Sequence, residues 1–307
     1  MRDTNEGTLL TSLRRALGFS IAPVLFIAIV SQVDPFGIIR GQSAQASSLT
    51  KGRIAKAINP TLWTLSRFKS SPAPNILLGD SRMASLSAER VSEHTGKETR
   101  NLAYGGASMQ EMFDSFWFAT RYSKLQTVTF GITLDAYNDY NILRRTDAVE
   151  SILKNRLLYF TNRNVLSATW ANLKAGALGD TPTIDSVTID REAFWRNILE
   201  EQNLTYSRWQ DPAHYREEFK KIADWCKGNG VTLRIIRFPT HRDVVDIVQK
   251  NGLTQKSRDM SMELKALAPL IDFAFREDIQ NSRAAFNDPV HFNQDVAALI
   301  IAEVWPM

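Results

Sequence analysis

The chain has 307 residues, 44% of them hydrophobic and 23% charged, which is enough apolar material for a large core and excludes global disorder. Its net charge of +4 is small and scattered, with no basic stripe interleaved with aromatics, so nucleic acid is not an expected partner. The single cysteine, Cys226, excludes an internal disulfide and a cysteine-built zinc site, and its setting in Asp224-Trp-Cys-Lys227 suits a helix residue better than a nucleophile.

Residues Ala16 to Val33 carry no formal charge and are mostly apolar, and Arg14 and Arg15 stand just before them. A membrane-crossing helix needs about 20 apolar residues, with a lower limit near 17, so this segment is just long enough. Basic residues on its N-terminal side favour cytoplasmic residues 1–15, an anchor over 16–33 and export of the remainder. A cleaved signal peptide is the alternative, because Ala44-Gln-Ala46 resembles a cleavage site. That site lies well past the apolar run, which favours an uncleaved anchor. A buried helix of a soluble domain suits the segment less well, because no polar face interrupts it.

Asp34-Pro-Phe-Gly37 stops the apolar run, and Gly41 to Lys51 reads as a linker rich in Ser, Ala and Gln. A short helix over Ile54 to Phe68, broken at Pro60, completes a juxtamembrane stretch 34–73 that ends at Ser70-Ser-Pro-Ala-Pro74. The main domain, 74–307, then alternates. A strand over Ile76–Leu78 precedes a helix over Met83–His94, and a strand over Glu98–Ala103 precedes a helix over Ser108–Tyr122. A third strand covers Thr127–Ile132. Residues 144–205 break the rhythm and read as a helical insertion over the sheet, interrupted by a Gly/Asp/Thr/Pro-rich run from Gly176 to Asp190. Alternation resumes with a helix over Tyr215–Lys227, ended by Gly228-Asn-Gly230, and a strand over Val231–Phe238. Helices over His241–Lys250 and Gln255–Leu267, a strand over Leu270–Phe275 and a terminal helix from the cap Asn293 to about Val304 complete the chain. Five short strands separated by helices imply parallel pairing with right-handed crossovers, hence a three-layer α/β/α domain.

The chemistry-bearing residues fall after strands. In Asn75-Ile-Leu-Leu-Gly-Asp-Ser-Arg82 a buried strand runs into a Gly-Asp-Ser turn, placing Ser81 where open α/β sheets hold ligands. Ser81 reads either as a helix cap or as a nucleophile, and its backbone N–H can face a developing oxyanion. Gly105 and Gly106, after the second strand, let the backbone approach a ligand and free an N–H, or simply make a βα turn. The third strand leads to Asp135 and to Asn138-Asp139, where the Asn138 amide is an oxyanion-donor candidate and a turn is the competing reading. Asp288-Pro-Val-His291 supplies a histidine with a carboxylate three residues before it, the pairing that activates a hydroxyl for acyl transfer. Arg82 and His241, the latter after Phe238-Pro-Thr240, are further cleft candidates, whereas His94 and His214 read as helix-surface residues. No histidine or carboxylate spacing suggests a metal, and no Gly-rich loop with Lys-Ser/Thr suggests a nucleotide, so no cofactor is expected.

Together these residues resemble the SGNH/GDSL hydrolase superfamily. Gly79-Asp80-Ser81 is similar to its nucleophile motif, Gly106 in Asn101-x-x-x-x-Gly106 to its second motif, and Asp288-x-x-His291 to its last. The third motif departs: Gly131 is followed by Ile-Thr-Leu-Asp-Ala-Tyr before Asn138-Asp139 rather than by a Gly-x-Asn-Asp run. The resemblance implies a flavodoxin-like α/β/α fold with Ser81 as nucleophile, His291 as general base, Asp288 as its orienter, and Ser81, Gly106 and Asn138 around the oxyanion. With an anchor before it and the Asp34-Pro-Phe-Gly37 and Phe238-Pro-Thr-His241 runs, the chain looks most like the branch of alginate O-acetylation and teichoic-acid D-alanylation proteins. That likeness implies an enzyme held at the inner (cytoplasmic) membrane with its main domain in the periplasm or extracytoplasmic space, a serine esterase or O-acyltransferase. Its implied partners are an acylated cell-envelope glycan and a membrane-bound acyltransferase. The rival expectation is a non-catalytic glycan-binding or assembly subunit that keeps the fold.

Overall fold

The computed structural model describes residues 20–41, 49–178 and 190–306. In chain order the helices and strands begin with α1 (residues 20–33), α2 (Leu49–Ile58), α3 (Pro60–Ser70), β1 (Asn75–Gly79), α4 (Ser81–Ala84) and α5 (Ala88–Thr95). There follow β2 (Thr99–Asn101), α6 (Met109–Thr120), β3 (Thr127–Ile132), α7 (Arg145–Lys154), α8 (Arg156–Thr161) and α9 (Arg163–Leu178). The remainder comprises α10 (Arg191–Ser207), α11 (Ala213–Gly228), β4 (Thr232–Arg237), α12 (Arg242–Lys250), α13 (Thr254–Leu267), β5 (Leu270–Asp272), α14 (Glu277–Gln280) and α15 (Gln294–Val304).

The chain divides into two compact units, Met1–Asn59 with Glu150–Thr183, and Pro60–Val149 with Ile184–Met307. In the first, α1 exposes Ile21, Val24, Leu25, Phe26, Ile27 and Ile29. It stops at Asp34, whose φ of 39° takes the backbone out of the helix. The buried Asp34 carboxylate accepts the N–H groups of Ile38, Ile39 and Arg40 at 3.0, 3.0 and 2.7 Å and the Tyr159 hydroxyl at 2.7 Å. Burial, with Asp34 beside it, raises the pKa of that phenol above its ordinary range. The division falls inside the stretch read as one insertion over 144–205: its described residues from 150 to 178 group with the first unit, and those from 190 to 205 with the second. Among the described residues no helix is long and apolar enough to cross a membrane. Residues 1–19, with the start of the expected anchor, the Ala44-Gln-Ala46 site and residues 179–189 of the Gly/Pro-rich interruption lie outside the described residues.

The second unit is built on a five-stranded, wholly parallel sheet in the order β2-β1-β3-β4-β5. This is the flavodoxin-like doubly wound order, whose ligand crevice opens at the carboxyl ends beside the β1/β3 switch point. Helices cover both faces. On one, Phe130 of β3 packs against Phe113 of α6 and Phe219 of α11 at ring distances of 6.3 and 5.0 Å. On the other, Leu77 and Ile236 share a core with Val91 of α5 and with Ile300 and Val304 of α15. The expected helix over Met83–His94 is in fact two. Ser87 caps α5 by accepting the Arg90 N–H at 3.1 Å, and Asn101 satisfies the broken turn by donating to the carbonyls of Met83 and Leu86 at 2.8 and 2.9 Å. The edge strands are also shorter than expected, β2 stopping at Asn101 and β5 at Asp272.

Candidate active site

β1 is buried along its whole length and ends at Gly79, beside Gly131 of β3. Glycine is needed there for room rather than for a special turn, since a Cβ on Gly79 would lie 2.5 Å from that of Met83. Helix α4 can therefore start directly off the strand. Its N-cap is Asp80, which accepts the Arg82 N–H at 2.9 Å. The capping role that competed for Ser81 thus falls to its neighbour, and Ser81, the first helical residue, keeps its hydroxyl for another partner.

That partner is His291. The Ser81 hydroxyl lies 2.7 Å from His291 Nε2, and His291 Nδ1 lies 2.7 Å from Asp288 Oδ2. A carboxylate can only accept, so Nδ1 carries the proton and Nε2 presents its lone pair to the Ser81 O–H. Asp288 is fixed in turn by the N–H groups of Val290 and His291, which reach its other oxygen at 2.9 and 3.0 Å. Burial alone would raise its pKa. The bond and charge of His291 and the two backbone donors outweigh it and hold the carboxyl below the usual range. The loop bearing these residues is pinned on three sides: Phe286 and Phe292 bridge its stem, His241 N–H donates to Pro289 O at 2.9 Å, and Arg191 donates to Phe286 O at 2.9 Å.

Gly106 sits at φ +63°, in the left-handed region that favours glycine, with open space where a Cβ would be. Its N–H has no hydrogen-bond partner among the described residues. The turn is gripped from behind by Arg145, which donates to Gly105 O at 3.3 Å and Gly106 O at 2.9 Å and pairs with the fully buried Glu111 at 2.7 Å. Glu111 also closes a capping box with Ser108 at the start of α6. Neither Arg145 nor Glu111 was legible as a site residue, because 34 positions separate them in the chain.

Asn138 is engaged at both ends of its side chain. Its amide donates to Thr205 O at 2.9 Å, while its oxygen accepts the N–H groups of Tyr140 and Gln210 at 3.1 and 2.8 Å. These bonds brace the loop against the C-terminal end of α10 and engage one of the two amide N–H groups. His241 is held in a similar way. It caps α12 through Nδ1, which accepts the Asp243 N–H at 3.2 Å, and its ring stands edge-on between Trp195 and Phe286. Burial lowers its pKa, against the opposing pull of Asp243. It supports the His291 loop through its N–H bond to Pro289 O.

Arg82 and Asp135 meet directly. Arg82, 4% exposed, pairs with Asp80 at 2.6 Å and with Asp135 at 2.8 Å. Burial opposes the charge of both Arg82 and Asp135, and the pairing prevails, raising the arginine's pKa and lowering the carboxylate's. Beyond Asp135 opens a cavity of about 190 Å³ at the carboxyl ends of β3 and β4, walled by Thr133, Tyr206, Arg237, Phe238 and Arg258. Ser81 and His291 do not line it. Tyr206, Arg237 and Arg258 were not anticipated; the one signal was an arginine closing the Ile235-Ile-Arg237 strand end. Among the described residues no group of three His, Cys, Asp or Glu side chains is placed to hold a metal ion. Cys226 is a buried helix residue, its thiol pushed up to about 12 by burial. No protein-family model matches the chain, and comparison with curated proteins finds no match.

Proposed function

We propose that the protein is a serine esterase or O-acyltransferase of the SGNH/GDSL type, acting on acyl esters, acetyl above all, of a cell-envelope or extracellular polysaccharide. The observation that carries this reading is the continuous hydrogen-bond chain from Ser81 through His291 to Asp288. In the proposed reaction the Ser81 oxygen attacks the ester carbonyl while its proton passes to His291 Nε2. The N–H groups of Ser81 and Gly106 hold the oxyanion. As the tetrahedral intermediate collapses, the leaving alkoxide takes the proton from His291, and an acyl-serine remains. Water or a sugar hydroxyl, deprotonated by the same imidazole, then attacks the acyl-serine and frees Ser81. Asp288 holds the ring in the required tautomer and stabilises the imidazolium.

The outward apolar side chains of α1 support a tethered protein, anchored in the inner membrane with the second unit exported beside a membrane-bound acyltransferase. The experiment is turnover of an aryl acetate together with labelling by a fluorophosphonate. Wild-type protein is expected to react with both and Ser81→Ala with neither; unchanged turnover in the variant overturns the mechanism. The engagement of the Asn138 amide elsewhere favours the second reading, a glycan-binding or assembly subunit that keeps the fold without turnover. Absence of labelling in the wild type would select it.

A further inference from the structure

The opposite end of the same sheet carries a second cavity. Strands of a parallel sheet covered on both faces are normally near-continuous apolar runs. Here one face departs from that rule at its amino end. Register aligns Thr99, Asn75 and Thr127 in one row, and Leu77, Thr129 and Arg234 in the next. With His94, Lys97 and Trp305 these residues line a cleft of about 350 Å³.

Three of its polar atoms are unmet. Thr129 and Asn75 are 1% and 5% exposed, yet Thr129 Oγ1, Asn75 Oδ1 and His94 Nδ1 have no hydrogen-bond partner among the described residues. Buried polar atoms are almost always bonded, so three orphans at one cleft call for a guest or ordered water. The charge is one-sided as well. Among the described residues no aspartate or glutamate lines the cleft, and Glu98 beside it is paired with Arg100 at 2.8 Å. The half-buried Arg234 guanidinium forms no hydrogen bond or ion pair among the described residues, and desolvation lowers its pKa. The Lys97 ammonium is also unpaired among them. A desolvated cation without a counter-charge is costly, and an incoming anion removes that cost.

Two cations with threonine hydroxyls beside them match a dianion bearing several acceptor oxygens, as a phosphate monoester does. Asn75 Oδ1, an acceptor, needs a donor instead and suits a hydroxyl on the same ligand. The cleft volume falls at the lower end of the range of small-molecule sites, about 300–1,000 Å³. We propose that this cleft binds a small polyhydroxylated phosphate monoester of sugar-phosphate size. None of its residues belongs to the Ser81 site, so the inference stands apart from the esterase reading.

Calorimetric titration of the full chain with glucose 6-phosphate, inorganic phosphate, glucuronate and glucose tests it. Glucose 6-phosphate should bind most tightly, inorganic phosphate more weakly and glucose not at all. Arg234→Gln should weaken glucose 6-phosphate at least about tenfold, Lys97→Gln should weaken it less, and Ser81→Ala should leave it unchanged. The Arg234 and Lys97 side chains hold no partner among the described residues, so either variant keeps the test open if the other folds poorly. The proposal is overturned by no response to glucose 6-phosphate up to about 10 mM, by glucuronate binding equally well, by inorganic phosphate alone binding, or by Arg234→Gln binding like the wild type.

Discussion

Both ends of the sheet are lined with polar groups, and the two ends satisfy them in opposite ways. At the carboxyl end Ser81, His291 and Asp288 bond to one another in series, and the loop that carries His291 is fastened by Phe286, His241 and Arg191. At the amino end Thr129, Asn75 and His94 leave atoms unbonded among the described residues, and Arg234 has no counter-charge among them. A closed chain holds its serine proton against an acceptor of its own. An open one leaves valences for a guest or ordered water. The contrast matters because an unmade buried hydrogen bond costs about 1–3 kcal/mol.

The largest expected effect tests the closed end. Ser81→Ala should lower aryl acetate turnover by about 10⁶-fold with the circular dichroism unchanged; a small loss would mean that the chain of bonds is structural. Asp288→Asn comes next. The amide would present its N–H to Nδ1 and force the proton onto Nε2, so kcat should fall about 10⁴-fold, while Asp288→Glu should recover part of it. Gly106→Ala places a Cβ at φ +63° and tilts the unbonded N–H, for an expected loss of about 10²–10³ in kcat with KM little changed. Rates equal to wild type would remove Gly106 from the oxyanion site.

At the open end the sign should reverse. Thr129→Val deletes an orphaned hydroxyl without loss of shape, so the unliganded protein should gain about 1 kcal/mol in urea denaturation; destabilisation would show that Oγ1 is satisfied after all. The smallest effect concerns His241. Burial depresses its folded pKa below 6.5, so the unfolded chain takes the proton first. Its contribution to stability is complete above about pH 6.5 and is lost as pH falls through the folded value. His241→Asn, which keeps a capping side chain, should flatten the stability profile between about pH 7 and 5; an unchanged slope would assign that slope to other groups.

Much of the second unit was legible because its signals are local. Thr127–Ile132 alternates and forms β3 at those bounds, and Asn293 caps α15 as its position before an apolar run suggested. The pairing of Ser81 with Asp288-x-x-His291 was also within reach, since a hydroxyl, an imidazole and a carboxylate are groups that bond in series. The break at Ser87 was not, because the amphipathic pattern continues across it and the Asn101 side chain that meets the freed carbonyls arrives from the next strand. Nor was the fate of Asn138, whose partners Thr205 and Gln210 arrive from α10 and the loop after it. The helical residues from 150 on did not read as company for the N-terminal residues, since the Tyr159 bond to Asp34 spans 125 positions.

The sequence by itself determined the order of strands and helices, the parallel sheet that this order requires, and the residue types gathered at its carboxyl end. These follow from periodicity, capping and turn chemistry, which act over a few residues. The tertiary structure alone decided which of those residues meet. It gave the capping role to Asp80 and released Ser81, set Asn138 to brace a loop, put Arg145 behind Gly106, and brought Arg234 and Thr129 to one cleft. Each of these outcomes depends on hydrogen bonds or burial between segments distant in the chain, where no local pattern records which donor finds which acceptor.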